Sequence, residues 1–219
     1  MNNINAVLFD LDGTLIDSEY FYFSNWAPIL EEDYGLKIDF EDWITNFAGH
    51  TLQHNVQMLN AHYKLNVNEE DIWFSTRASY AKANMKNIRL MPYAKEIIEA
   101  VKDHGQRLAL VTSSYQTTVD AVLGEHNLLK YFEFFVTREL VENPKPNPEP
   151  YLLAVNKLQI PKNEIVVVED TSTGCTAAKE AGLYCIAVTK QEVEKERLSH
   201  ADELLNDLAD VKKSLFSLN

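Results

Sequence analysis

Four short apolar runs constrain the fold of this chain more than any other feature. They are Ala6–Phe9, Leu108–Val111, Ile165–Val168 and Cys185–Val188. Every residue in each run is apolar, whereas a strand with one solvent-facing side would alternate apolar and polar residues. Continuous runs of this length are typical of strands buried on both faces of a parallel sheet. A weaker fifth candidate covers residues 132–136.

Helical patterns separate these strand candidates. They cover Ala94–His104, Thr117–Glu125, Tyr151–Leu158 and Cys175–Ala181. Gly105 and Gly182 follow two of them, at the positions where helices commonly end. Alternating strands and helices predict an α/β fold, a doubly wound parallel sheet of the Rossmann-like type.

One segment, residues 16–90, breaks this alternation. It shows only helical patterning, and it contains all three tryptophans of the chain. Its helical patterning is expected to break at three places, near Pro28, Gly35 and Gly49. We therefore predict an α/β core domain made of residues 1–15 and 91–219, with residues 16–90 inserted as a helical cap domain. An insertion directly after the first strand is expected to lie over the carboxyl edge of the sheet as a lid.

The composition excludes several classes of partner. The 219 residues carry a formal net charge of −13, and no block of Lys or Arg stands out. We therefore expect no nucleic acid and no anionic membrane surface among its partners. Neither a membrane-length apolar run nor a signal sequence is evident, and Cys175 and Cys185 do not suggest a disulfide. A soluble, cytoplasmic, monomeric protein is the expectation.

Polar residues of distinct chemical types follow the predicted strands. They are Asp10 and Asp12, Thr112 and Ser113, Glu169 and Asp170, and Lys145 in the loop after the weak strand. Parallel strands place such residues at one edge of the sheet. Crowded carboxylates repel each other. A bound Mg²⁺ would offset that repulsion, and carboxylate oxygens are ligands that Mg²⁺ prefers. Lys145 and Thr112 then remain to hold an anion, which favours phosphoryl transfer.

These residues resemble a known family. The segment Asp10-Leu11-Asp12-Gly13-Thr14-Leu15, with Thr112, Lys145 and Glu169-Asp170, is similar in order and spacing to the four motifs of the haloacid dehalogenase superfamily. The inserted helical segment resembles that superfamily's C1-type cap. The resemblance implies that Asp10 is a nucleophile that forms an aspartyl-phosphate. It also implies that Asp12 is the general acid and base.

The resemblance further implies which residues bind the metal and the substrate. Mg²⁺ would be held by Asp10, by the backbone carbonyl of Asp12 and by Asp170, with Glu169 acting through a water. The predicted phosphate-binding residues are Thr112, Ser113, Lys145 and Gly13. His50 is a candidate substrate contact, because Gly49-His50-Thr51 resembles a cap loop that enters the site in relatives. The substrate would be a small phosphorylated metabolite.

Two further observations concern residues near these motifs. His50 and His54 have the spacing of a helical zinc pair, but neither a neighbouring Glu nor a third ligand is evident, so zinc is not predicted. In the segment after Asp170, Thr171 or Ser172 can cap the next helix. Gly174, Ala177 and Ala178 are expected to let that helix pack close to the sheet, which is a structural role.

Within the superfamily, the sequence favours a phosphatase. Asp12 argues against a dehalogenase, because a halide leaving group needs no proton. The motifs most resemble the β-phosphoglucomutase-like phosphatases. The mutase has His, Arg and Lys at the positions of Tyr22, Leu52 and Tyr115. Mutase activity is therefore less favoured, and a phosphosugar mutase is the alternative to a phosphatase. A phosphonate hydrolase would need a cap lysine, and none is distinguished. A non-catalytic sensor that uses the same fold is the alternative from another class.

Overall fold

The computed structural model describes residues 4–48, 52–190 and 192–217. The chain forms two compact units: residues 1–16 with 89–219, and residues 17–88. The boundaries predicted from the sequence are 15/16 and 90/91, and the role of the second unit as a cap stays a prediction. No helix in the described part of the chain combines the length and apolar character that a membrane crossing requires.

The first unit, called the core unit below, contains a parallel sheet. Within the described residues its six strands are β1 (Ala6–Phe9), β2 (Arg107–Val111), β3 (Phe134–Val136), β4 (Ile165–Glu169), β5 (Tyr184–Val188) and β6 (Glu203–Leu205). Their spatial order is β3-β2-β1-β4-β5-β6, and each neighbouring pair is parallel. The predicted doubly wound α/β fold is confirmed.

The helices of the core unit follow the strands. They are α5 (Ala94–Asp103), α6 (Gln116–Glu125), α7 (Glu149–Leu158), α8 (Ser172–Glu180), α9 (Glu192–Arg197) and α10 (Leu208–Ser217). The four predicted helices are present, with ends that differ by at most three residues. Thr171 is the N-cap of α8, because its side chain accepts a hydrogen bond from the backbone N–H of Gly174.

The strands are buried as their composition predicts. Leu8 in β1 and Val167 in β4 are fully buried, and so is every residue of β1. Leu8 belongs to a core that also includes apolar side chains from α7 and α8, among them Tyr151 and Ala178. The weak strand is shorter than predicted, because a 3₁₀ turn at Leu129–Tyr131 precedes it and Phe132 closes that turn.

Helices and a 3₁₀ turn are the regular secondary structure of the second unit within its described residues. It contains α1 (Ser18–Tyr34), α2 (Phe40–Asn46), α3 (Leu52–Ala61), α4 (Glu69–Lys82) and a 3₁₀ turn at Met85–Asn87. The second unit has its own apolar core, which includes Trp26, Leu30 and Trp43.

The break predicted near Pro28 is wrong. Pro28 lies inside α1, which continues to Tyr34 and ends at Gly35 as predicted. A proline removes one hydrogen bond from a helix, but burial of Trp26 and Leu30 on either side of it favours a continuous helix. Gly49 lies outside the described residues.

The buried position of β1 generates a stability prediction. Leu8→Ala should lower the free energy of unfolding by about 2–5 kcal/mol, because it leaves a cavity in a closely packed core. Leu152→Ala is the matched control, since Leu152 on α7 is 40% exposed. Urea unfolding of both variants measures the difference. Equal losses in the two variants would contradict the packing described here.

Candidate active site

The site is built at the carboxyl edge of the sheet in the core unit. Asp10 directly follows β1, the strand that lies between β2 and β4. Its backbone N–H donates to the carbonyl oxygen of Val168 at 3.0 Å, so the ladder continues one residue beyond β1. The Asp10 residue is only 7% exposed. The sheet itself therefore positions this carboxylate.

Gly13 makes the turn that follows Asp10 and Asp12. Its φ is +78°, and its N–H donates to the carbonyl oxygen of Ile16 at 2.9 Å. A Cβ atom on Gly13 would lie 2.0 Å from Oδ2 of Asp170. Glycine is required here both for the left-handed backbone and for the close approach of Asp170. Its predicted role in phosphate binding stays a prediction.

Asp12 is held by hydroxyl groups from the end of β2. The Ser114 hydroxyl donates to Oδ2 of Asp12 at 2.7 Å, and the Thr112 hydroxyl lies 3.5 Å from the same oxygen. The Thr112 hydroxyl also accepts from the N–H of Ser114 at 3.0 Å. Thr112 is buried, whereas Ser113 is exposed. The structure thus places Thr112 beside Asp12, as expected for the strand ends.

Sequence reasoning missed Ser114. The available signal was the pair of serines, Ser113 and Ser114, directly after a predicted strand end. A residue two positions after Thr112 contacts Asp12 because the backbone turns there, and that turn has no distinctive residue pattern.

Lys145 is the cation of the site. Its Nζ atom donates to Oδ1 of Asp10 at 2.6 Å, to Oε1 of Glu169 at 2.5 Å and to the carbonyl oxygen of Val111 at 2.8 Å. All three N–H donors of the ammonium are thereby engaged. Burial alone would lower the pKa of Lys145, but Asp10 and Glu169 outweigh burial and raise that pKa above its ordinary value. Lys145 is therefore a fixed positive charge.

Glu169 is fully buried at the end of β4. The hydroxyl of Tyr151, on α7, donates to its Oε1 at 2.6 Å. Burial first, and then the nearby carboxylates, raise the pKa of Tyr151 well above its ordinary value, so this hydroxyl keeps its proton. Tyr151 was predicted only as a helix residue. A tyrosine in an apolar helix pattern gives no signal of a polar contact.

Three carboxylates form the candidate metal centre. Oxygen atoms of Asp10, Glu169 and Asp170 all lie within 4.8 Å of one another. Burial raises the pKa of Asp10 well above its ordinary value; Lys145 opposes this rise, and Glu169 and Asp12 add to it. Burial and the neighbouring Asp10 and Glu169 likewise raise the pKa of Asp170. This set of closely spaced, mutually repelling oxygen ligands fits a hard divalent cation such as Mg²⁺.

Two predictions on site residues stay open. His50 lies outside the described residues, so its contact with substrate stays a prediction. Glu169 lies in the acidic cluster, but its predicted action on the metal through a water also stays a prediction.

The raised pKa of Asp170 predicts how stability depends on pH. A carboxyl group whose pKa is raised in the folded state binds its proton more tightly when folded, so stability falls as pH rises through that pKa. Asp170→Asn removes this loss. In metal-free buffer, the variant should melt at a higher temperature than the wild type at about pH 8 but not at about pH 4, where the unfolded aspartate is itself half protonated.

The control for this comparison is Asp103→Asn, because Asp103 is exposed at the end of α5. Its melting temperature should match the wild type at both pH values. If Asp170→Asn stabilised the protein equally at the two pH values, the result would contradict a raised pKa of Asp170 in the folded state.

Comparisons with known proteins agree with this geometry. A family model of haloacid dehalogenase-like hydrolases matches residues 7–188. The chain is 32% identical over 180 residues to the phosphorylated carbohydrates phosphatase of Thermotoga maritima, covering 82% of each chain. It is 33% identical over 189 residues to the pyrophosphatase PpaX of Halalkalibacterium halodurans, covering 84% of this chain and 83% of the relative.

A solved structure gives the same result. The crystal structure of CbbY from Rhodobacter sphaeroides in complex with phosphate matches with a TM-score of 0.71 at 27% identity, covering 95% of this chain and 96% of that one. The family match spans most of the sequence. The acids at the strand ends of the structure are the same residues on which the resemblance was based. The chain therefore belongs to the haloacid dehalogenase-like hydrolases, as a phosphoric monoester hydrolase of the β-phosphoglucomutase-like subgroup.

Proposed function

We propose that this protein is a Mg²⁺-dependent phosphatase that hydrolyses a small phosphomonoester through an aspartyl-phosphate on Asp10. One observation carries the proposal. A buried ammonium, Lys145, contacts the carboxylate of Asp10 inside a cluster of acids whose oxygens lie within 4.8 Å of one another. Phosphoryl transfer by this route requires a nucleophilic carboxylate, a cation and a cluster of carboxylates that can bind a metal ion, all in one site.

The metal would be held by side chains of Asp10 and Asp170 and by the backbone carbonyl of Asp12. When bound, Mg²⁺ supplies positive charge that offsets both the acid cluster and the incoming phosphate. The fit rests on the donor set, which is made only of oxygens, and on the raised pKa values of Asp10 and Asp170. Burial first, and the neighbouring carboxylates after it, raise these pKa values, and both effects disfavour the ionised forms in the absence of a cation.

Asp10 is the proposed nucleophile. One of its carboxylate oxygens forms a bond to phosphorus, and the bond between phosphorus and the ester oxygen of the substrate breaks. Lys145 lies 2.6 Å from the Oδ1 atom of Asp10, so its positive charge is close to the phosphoryl oxygens as the transfer occurs. Thr112, Ser113 and the backbone at Gly13 are the proposed contacts of the phosphoryl group in this unit.

Asp12 is the proposed general acid and base. It gives a proton to the departing ester oxygen, and it later accepts a proton from the water that attacks the phosphorus of the aspartyl-phosphate. The Ser114 hydroxyl contacts Oδ2 of Asp12 at 2.7 Å. A hydroxyl can donate to a carboxylate or accept from a protonated carboxyl group. Ser114 can therefore partner Asp12 in both of the states that this role requires.

A sugar phosphate is the proposed substrate class. The support is the relative from Thermotoga maritima, which is named for phosphorylated carbohydrates. The mutase alternative is less favoured, because Tyr115 is an exposed tyrosine where the mutase has a lysine to hold a second phosphate. Conversion of glucose-1-phosphate to its 6-phosphate would favour the mutase. A monomeric state and a cytoplasmic location stay predictions.

The first test of the proposal is Asp10→Asn. The amide cannot attack phosphorus, so hydrolysis of para-nitrophenyl phosphate in the presence of Mg²⁺ should fall to background. Asp103→Asn, which also converts an aspartate to an asparagine but at an exposed position, should keep wild-type activity. Melting curves should show that both variants are folded. Near-normal turnover by purified Asp10→Asn would exclude Asp10 as the nucleophile and would overturn the proposed mechanism.

The second test concerns the proton that Asp12 supplies. A sugar alkoxide needs protonation to leave, whereas a nitrophenolate does not. Asp12→Asn should therefore slow formation of the aspartyl-phosphate from a sugar phosphate by about 10²–10⁴-fold more than from para-nitrophenyl phosphate. Rapid-quench measurement of the first turnover with each substrate gives the two rates.

The same experiment has a second readout. Since Asp12 also serves as the base for the attacking water, the aryl substrate should give a burst of nitrophenolate followed by slow turnover in Asp12→Asn. Mg²⁺ affinity should change little, because the backbone carbonyl of residue 12 is retained. An equal loss with both substrates, together with weakened Mg²⁺ binding, would instead indicate a metal ligand and exclude the acid-base role.

A further inference from the structure

Glu169 has an unusually complete set of hydrogen-bond donors for a carboxylate at the end of a buried strand. Its Oε1 atom accepts from Nζ of Lys145 at 2.5 Å and from the Tyr151 hydroxyl at 2.6 Å. Its Oε2 atom accepts weaker bonds from the N–H of Asp170 and the hydroxyl of Thr171, both at 3.3 Å. The strong bonds both converge on Oε1. The orientation of this carboxylate is therefore set chiefly by Lys145 and Tyr151.

Among the described contacts, the side chain of Tyr151 makes one hydrogen bond, from its hydroxyl to Glu169. The residue is fully buried in the apolar core on α7, and its ring lies 5.1 Å from Nζ of Lys145. A phenylalanine would fill the same apolar space. Burying a hydroxyl is unfavourable unless it is hydrogen-bonded, so the tyrosine is explained by its contact with Glu169.

Gly174 provides the space for this carboxylate. A Cβ atom on Gly174 would lie 2.0 Å from Cδ and from Oε1 of Glu169, and 2.1 Å from Oε2. Real Cβ contacts are not this short, so the carboxyl group occupies the position where any larger residue would place its side chain. Gly174 was expected only to let α8 pack against the sheet. The structure adds that it makes room for Glu169.

We propose that Tyr151 is a positioning residue of the phosphatase site, acting through Glu169. In this arrangement Tyr151 and Gly174 hold the Glu169 carboxylate where it keeps Lys145 against Asp10. The three acceptors of Lys145 then have distinct roles. Glu169 and the carbonyl of Val111 fix the ammonium, and the third N–H points at the nucleophile and at the phosphoryl group that reaches it. The inference rests on the proposed function, in which Lys145 stabilises the transferred phosphoryl group.

Loss of the Tyr151 hydroxyl leaves Lys145 as the one close donor to Oε1 of Glu169. The carboxylate can then rotate, and the ammonium bonded to it shifts with it. A misplaced charge affects the transition state, where the charge on the phosphoryl group is being redistributed, more than it affects substrate binding. The expected signature is a fall in kcat with little change in KM.

The test compares two tyrosines that make the same kind of hydrogen bond. Tyr151→Phe removes the bond to Glu169, whereas Tyr184→Phe removes a bond of 2.8 Å from Tyr184 to Oε1 of Glu203, between β5 and β6. With para-nitrophenyl phosphate and saturating Mg²⁺, Tyr151→Phe should lower kcat about tenfold or more, as expected for a hydrogen bond to a charged group, and change KM by less than about threefold. Tyr184→Phe should change kcat by less than about twofold.

A double-mutant cycle tests whether Tyr151 acts through Glu169. In a Glu169→Gln background, Tyr151→Phe should lower kcat by less than about twofold further, because the group it positions has already been changed. Calorimetric titration with vanadate, which mimics the transferring phosphoryl group, gives a readout that needs no turnover. Vanadate binding with Mg²⁺ present should weaken about tenfold in Tyr151→Phe and stay unchanged in Tyr184→Phe.

A second pair of variants tests the space that Gly174 leaves for the same carboxylate. Gly174→Ala should reproduce the fall in kcat, because its Cβ atom displaces the Glu169 carboxylate. Gly124→Ala is the matched control in α6, where a new Cβ atom would make an ordinary contact of 3.5 Å with Leu129. Gly124→Ala should keep wild-type kinetics and melt at the same temperature or higher.

Two results would overturn the inference while leaving the proposed function intact. One is a Tyr151→Phe enzyme with wild-type kcat and vanadate affinity. The other is a loss in Tyr151→Phe that is equally large in the Glu169→Gln background, which would show that Tyr151 acts independently of Glu169. Failure of the proposed function has a different signature, since the wild-type protein would then hydrolyse no phosphomonoester with Mg²⁺ present.

Discussion

In the core unit, the ammonium of Lys145 contacts two carboxylates that burial would otherwise make unstable as anions. Asp10 and Glu169 are both buried, and each lies within 2.6 Å of Nζ of Lys145. Removing one partner of a buried ion pair typically costs about 3–5 kcal/mol, because the other charge is left uncompensated. Lys145 therefore supports the fold of the strand ends as well as the proposed chemistry. Its charge still does not balance three acids, which is why the cluster fits an additional cation.

The sheet order explains how residues so distant in sequence meet. β1 has β2 on one side and β4 on the other, so Asp10 lies between the residues that follow those two strands. The loop after β3 supplies Lys145 from the far side of β2. Each strand of a parallel sheet delivers its carboxyl end to the same edge, and different strands can therefore supply an acid, a hydroxyl and a cation to one site. The position of each group depends on strand register rather than on flexible loops alone.

Much of this arrangement could be predicted from the sequence, because strands buried on both faces have an unambiguous pattern. The same reasoning missed β6, whose three residues Glu203–Leu205 are partly exposed at the edge of the sheet and carry no continuous apolar run. It also missed α9, in which five of the six residues are charged, and α10. The strand-end acids and Lys145 were identified because their chemical types are unusual beside apolar strands.

The contacts that orient those acids could not be predicted in the same way. The Ser114 hydroxyl contacts Asp12 because the backbone turns after β2. The Tyr151 hydroxyl contacts Glu169 from α7, whose sequence pattern at that position is apolar. Gly174 was identified, but its expected role was only close packing. In each case the missing information is the direction of a side chain in three dimensions. Sequence patterns give the face of an element on which a residue lies, and they do not give the neighbouring element that it meets there.

Chemical trapping can show whether Asp10 carries the phosphoryl group during turnover. The protein would be mixed with a phosphomonoester and Mg²⁺, quenched in acid during the first turnover and reduced with borohydride, which converts an acyl phosphate to the corresponding alcohol. Mass spectrometry of the peptides would then locate the reduced residue. We expect homoserine at position 10, and none after the same treatment without substrate. Turnover without any modification at Asp10, or a phosphoryl group found on Ser113 or Ser114, would contradict it.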